Sequence, residues 1–147
     1  MRVTYLILLA SICAASATAA LAEDFQVVKA GAVKWDPCDP NTPTDPCRIT
    51  YFRGNPEKEE NYGYVKIPKG HIFPPHWHIN NENLIVVQGT LVVGGENDSK
   101  GMPLRSGDYM HLNAKWIHWA RCDEQDCLFY LNNEGADSYI DAKERRP

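Results

Sequence analysis

From residue 62 onward the chain alternates short runs rich in β-branched, aromatic and aliphatic residues with clusters of turn formers. The runs cover 62–67, 74–79, 82–88, 90–93, 109–112, 117–121 and 127–132. Between them stand Pro68 and Gly70, Asn80-Asn81, Gly89, a loop over 94–101, Ser106-Gly107-Asp108 and Asn113-Ala114. This punctuation predicts β-strands joined by tight turns. Upstream, 25–28 and 32–35 read as a strand or two and 48–53 as another, with a charged loop over 54–61. No stretch carries a 3.6-residue apolar period beyond two turns, so no sizeable helix is predicted in the body of the chain. Many short strands at close spacing predict an all-β sandwich or barrel, and a barrel also removes exposed strand edges. The reading is one domain with a core over 60–135, preceded by N-terminal strands and a proline-rich loop over 23–59. A polar tail over 136–147 is expected to be a loose end or a single helical turn.

The first 22 residues break this pattern. Arg2 precedes an apolar run over 5–15, small residues follow, and Ala20-Leu21-Ala22 leads into Glu23-Asp24. That is the layout of a secretory signal cut after Ala22, and it predicts export, to the periplasm if the source is a Gram-negative bacterium. An uncleaved anchor is the rival reading, but the run is shorter than the ~20 apolar residues a bilayer requires.

Cleavage would leave Cys38, Cys47, Cys122 and Cys127. An even set in an exported chain predicts disulfides, and four cysteines permit three pairings. The two local pairs are favoured. Cys38 and Cys47 bracket a turn-rich loop with three prolines, and Cys122 and Cys127 flank the polar turn Asp123-Glu124-Gln125-Asp126, read as the tip of a hairpin. Neither spacing matches the paired C-x-x-C units of a zinc site. The net charge of −4 and the scattered Lys and Arg residues argue against nucleic acid as a partner.

Four residues carry candidate chemistry: His76, His78, Glu82 and His118. Strand alternation turns His76 and His78 to one face, and the turn at Asn80-Asn81 brings Glu82 back as a neighbour of His78. His118 opens a later strand. Three imidazoles and a carboxylate suit one divalent transition ion (Fe, Mn, Ni, Cu or Zn) with room for water or substrate. His71 and His111 are read as structural or surface histidines. Trp116, Leu84 and Val86 are candidates to line a cavity around the ion, and Tyr62 and Tyr64 could add a phenol to it.

The spacing from Gly70 through His76, His78 and Glu82 to Gly89 resembles the first cupin motif, and Gly107 to His118 resembles the second. The second motif departs at Asn113, Lys115 and Cys122, where cupins commonly carry proline, glycine and asparagine. The resemblance covers roughly residues 60–132. It implies a jelly-roll (double-stranded β-helix) barrel in which His76, His78, Glu82 and His118 ligate the metal, and pairing into a homodimer through strand edges. Proteins that this chain resembles include dioxygenases, decarboxylases, lyases and isomerases, beside members that only bind. The leading expectation is a small exported metalloenzyme acting on an oxygen-rich or carboxylate-bearing small molecule, with Glu82 as proton acceptor. The alternative is a non-catalytic periplasmic metal- or ligand-binding module.

Overall fold

The computed structural model describes residues 26–144 and 146–147. The predicted signal segment and the first residue of the proposed strand at 25–28 lie outside the described residues. Nine strands follow a single 3-10 turn at Ala30–Ala32: β1 Asp36–Pro37, β2 Arg48–Arg53, β3 Asn61–Ile67, β4 Ile72–Trp77, β5 Glu82–Gly95, β6 Met102–Arg105, β7 Tyr109–Leu112, β8 His118–Asn133 and β9 Ile140–Asp141. Every pairing is antiparallel.

Two long strands organise the rest. β5 and β8 pair from Glu82↔Asn133 to Gly95↔His118, with register shifts between Val86 and Thr90. Those shifts bend the pair into two halves. One half continues through β3, β2 and β1 on one side and β7 on the other; the second adds β4 and β9 on one side and β6 on the other. The result is a sheet curled on itself in the jelly-roll manner, with inward residues alternating with outward ones, as the burial of β3 shows. Leu84, Leu91, Val93, Leu112, Phe129 and Leu131 belong to the buried core that fills it.

The bend has identifiable causes. Gly89 has φ +89°, and a Cβ there would lie 2.7 Å from the Asp126 carbonyl oxygen. Only glycine combines that backbone with that approach. The bridge Cys122–Cys127 closes the same corner, and both cysteines are almost fully buried. The second bridge joins Cys38 to Cys47. Both favoured pairings are therefore present.

Several local expectations require correction. Cys122 and Cys127 do not face each other across a hairpin; both belong to the continuous strand β8, which bulges between them because β5 bends opposite. Likewise 82–88 and 90–93 are one strand, since the kink at Gly89 does not break pairing with β8. The proposed strand at 32–35 is irregular, and the first pairing comes at β1. β6 was not predicted: Met102, Pro103 and Arg105 are exposed edge residues and Leu104 alone is buried, leaving little alternation to read.

Candidate metal centre

His76 and His118 are register partners in the β4–β8 pair, so their side chains share a face of the sheet. Their ring centroids are 4.3 Å apart. His78 follows two residues after His76, just beyond β4, and Glu82 is the first residue of β5. The tertiary structure thus brings the three predicted histidines together, with one ring nitrogen of each within 4.8 Å of the others. Glu82 Oε2 lies 3.1 Å from His78 Nε2. His76, Glu82 and His118 are buried, at 4%, 7% and 3% exposure.

The hydrogen bonds settle the tautomers. His76 Nδ1 contacts the Pro74 carbonyl at 2.7 Å, His118 Nδ1 the Trp116 carbonyl at 3.0 Å, and His78 Nδ1 the Ser138 carbonyl. A backbone carbonyl only accepts, so each Nδ1 carries the proton and donates it. Each Nε2 is then left with a lone pair. His78 Nε2 is buried without a hydrogen-bond partner, and Glu82 Oε2 lies 3.1 Å from it. Burial holds His76 and His118 well below the ordinary imidazole range, helped at His76 by the neighbouring His118 and His78 rings. Burial pushes the Glu82 carboxyl up, with Asp137 adding to the shift and His78 opposing it. Converging ring nitrogens of this kind in a buried setting suit a shared cation. The donor set fits a divalent transition ion, and His76, His78 and His118 form a group able to hold one.

The C-terminal tail is not a loose end up to Ala142, and a single turn follows, with Glu144 N donating to the Asp141 carbonyl at 3.2 Å. Residues 134–142 run back along the turn that carries His78. Asn80 Nδ2 donates to the Ala136 carbonyl at 2.9 Å, and Ile79 N donates to Ser138 Oγ at 2.8 Å. Tyr139 stacks on His76 with centroids 4.2 Å apart and planes at 19°. β9 then pairs with β4, Asp141 opposite His76 and Ile140 opposite Trp77. This strap fixes the tautomer of one histidine and the ring plane of another. Removing the chain after Glu134 is expected to weaken metal binding about 10- to 100-fold, the usual effect of losing groups that orient ligating histidines. Competition against a chromogenic chelator measures it, with the barrel's melting transition as control. Unchanged affinity in a folded variant would deny the strap that role.

The cluster opens on a cavity of about 560 Å³. Apolar barrel residues form much of its wall, Leu84 among them, while the Cys38–Cys47 loop, Phe73 and Tyr139 stand around its mouth. Val86 is buried but does not line it, because it sits at the bend. Trp116, 38% exposed, stacks on His118 at 5.2 Å from outside the cavity wall. Tyr62 and Tyr64 supply no phenol: the buried positions of β3 are Asn61, Gly63, Val65 and Ile67, and Tyr64 joins Phe52 and Tyr130 in an aromatic group away from the cavity. The phenol at the cavity is Tyr139, and Tyr51 donates a hydrogen bond to Asp137, which lines it.

His111 is exposed and bonds Asn83, as a surface histidine would. His71 is different. It lines the mouth beside Asp45, half-buried and edge-on to Phe73. Asp45, Cys47 and His71 approach within 4.8 Å of one another, but Cys47 is committed to its disulfide.

A curled antiparallel barrel with a buried histidine cluster on its inner wall defines the class as cupin. The model of the ChrR cupin-like domain matches residues 23–136, and the chain belongs to that family. Among solved structures it is similar to an RmlC-like cupin protein from Ralstonia eutropha, at 21% identity and TM-score 0.66, covering 83% of this chain and 76% of that one. The DMSP lyase DddQ from Ruegeria pomeroyi is 14% identical with TM-score 0.63, over 80% and 64% of the two chains. The anti-sigma ChrR of Rhodobacter sphaeroides, in complex with SigE, is 19% identical with TM-score 0.55, over 71% and 51%. No curated protein matches the chain.

Proposed function

We propose that this chain is an exported mononuclear metalloprotein that holds one divalent transition ion through His76, His78, Glu82 and His118 and acts on an oxygen-bearing small molecule. The observation that carries the reading is the buried Nε2 of His78, without a hydrogen-bond partner and facing the Glu82 carboxylate, with all three Nδ1 atoms already committed to carbonyls. A bound ion of this class would supply Lewis acidity or redox chemistry. The chain's own groups line and orient the site. Leu84 and Leu112 line the cavity with the cluster, the strap holds His78 and His76, and Glu82 Oε2 is placed to take up a proton. Two disulfides suit an oxidising compartment, which supports export.

The second reading is a non-catalytic metal-binding module. It draws support from the family itself, one of whose structural neighbours is an anti-sigma protein bound to its sigma factor. Loading the protein with Co(II) and adding azide separates the two. A shift of the visible bands upon azide entry marks an exchangeable coordination position and supports the enzyme. Spectra that do not respond in stoichiometrically loaded protein favour the module.

A further inference from the structure

The charge on the cavity wall is one-sided. Asp39, Asp45, Glu82 and Asp137 line it, and no lysine or arginine does among the described residues. The aspartates are not neutralised by their hydrogen bonds. Asp137 accepts from the Tyr51 hydroxyl, Asp45 from Cys47 N, and Asp39 from Asn41 N and the Thr42 hydroxyl, all uncharged donors. The neighbouring Arg48 gives its Nη1 to the backbone carbonyls of Asp45 and Cys47 and does not line the cavity. His71 is the one titratable base at the mouth. A divalent ion would more than offset Glu82 but not the three aspartates as well, so the cavity stays negative with metal in place.

Two further features point the same way. Phe73 and Tyr139, with centroids 6.5 Å apart, stand beside Asp45 at the mouth, and aromatic faces next to a carboxylate favour a cation or a neutral group. The interior beyond is aliphatic and aromatic, with Leu91, Val93 and Phe129 on the wall.

We infer that the cavity takes an uncharged or cationic small molecule, with an apolar body and one oxygen-bearing end, and rejects molecules whose far end is a carboxylate. This deepens the metal-site reading and rests on it for the oxygen-bearing end. It also narrows the expectation drawn from sequence, in which carboxylate-bearing substrates stood equal with neutral ones.

The test holds the metal-binding head constant and varies only the far charge. Three benzohydroxamic acids, with para-methyl, para-trimethylammonium or para-carboxylate groups, are titrated into Zn(II)-loaded protein by calorimetry at pH 8 and low salt. The carboxylate is expected to bind at least about tenfold more weakly than the methyl compound, as like charges a few ångströms apart in a partly desolvated cavity require. The trimethylammonium compound is expected to bind at least as tightly as the methyl one. Asp45→Asn, which can keep the bond from Cys47 N, should narrow the ratio of methyl to carboxylate affinity about threefold. A carboxylate that binds as tightly as the methyl compound overturns the inference, as does failure of all three to bind. Metal content is assayed in the same samples. Loss of zinc would sink the metal-site reading, while the order of the three tails, measured in metal-free protein, would still report the cavity charge.

Discussion

Glu82→Gln is expected to remove most of the metal-dependent rise in Tm while leaving the metal-free protein at least as stable as wild type. In the metal-free chain, Glu82 at 7% exposure faces His78 Nε2 at 3.1 Å, and burial pushes its carboxyl up. A glutamine keeps the shape and can donate its amide N–H to that nitrogen, satisfying both groups. An ion held as proposed would lose its carboxylate ligand. Metal at about a thousand times its Kd stabilises a folded chain by ~4 kcal/mol, which for a domain of this size is on the order of 10–20 °C in Tm. Thermal melts of both proteins, with and without Zn(II) or Mn(II), provide the measurement. If Glu82 were merely a structural hydrogen-bonding residue, the metal-free variant would instead melt lower and its metal response would match wild type.

Gly63→Ala is expected to destabilise the barrel by at least ~3 kcal/mol, enough to lower Tm by roughly 10 °C or more. Gly63 lies in β3 opposite Tyr51 of β2 and Leu131 of β8. A Cβ there would stand 2.2 Å from the Thr50 carbonyl oxygen and 3.3 Å from the Tyr51 ring. The first contact is with backbone, so no side-chain rotation relieves it, and the two strands must part. Gly70→Ala is the control. Its site has nothing within 4 Å, so the cost is confined to its φ of +82°, about 1 kcal/mol. Chemical denaturation of the two variants decides it. Similar small losses in both would mean that β2 and β3 can yield at this point. Because Tyr51 donates to Asp137 at the cavity, parting β2 from β3 should also loosen that wall.

Much of the scaffold could be read before any coordinates. Strand content is a local property, so β3 and the first half of β5 were visible as runs of β-branched, aromatic and aliphatic residues bounded by turn formers. The bulged corner was not. A strand that bends without losing its partner looks, in one dimension, like two strands and a turn, and the Gly89 and Cys122–Cys127 segments were read that way. Edge strands β1, β6 and β9 escaped because they bury little and so carry little pattern.

By itself, the sequence determined the donor types and their spacing. The short link between His78 and Glu82 keeps them close in the chain, although β4 pairs with β8 and β9 and not with β5, and the cysteines were limited to a few pairings by their number. Only the tertiary structure decided what surrounds them. The carbonyl that orients His78 comes from Ser138, 60 residues away, and the hydroxyl on Asp137 comes from Tyr51, 86 residues away. A backbone carbonyl belongs to every residue type, so Ser138 has no sequence signature in this role. The strap's polar residues read as a tail because their partners are turns and strand edges, not an apolar core. The one-sided charge of the cavity is likewise a sum over loop, strand and strap positions that only folding brings to a single wall.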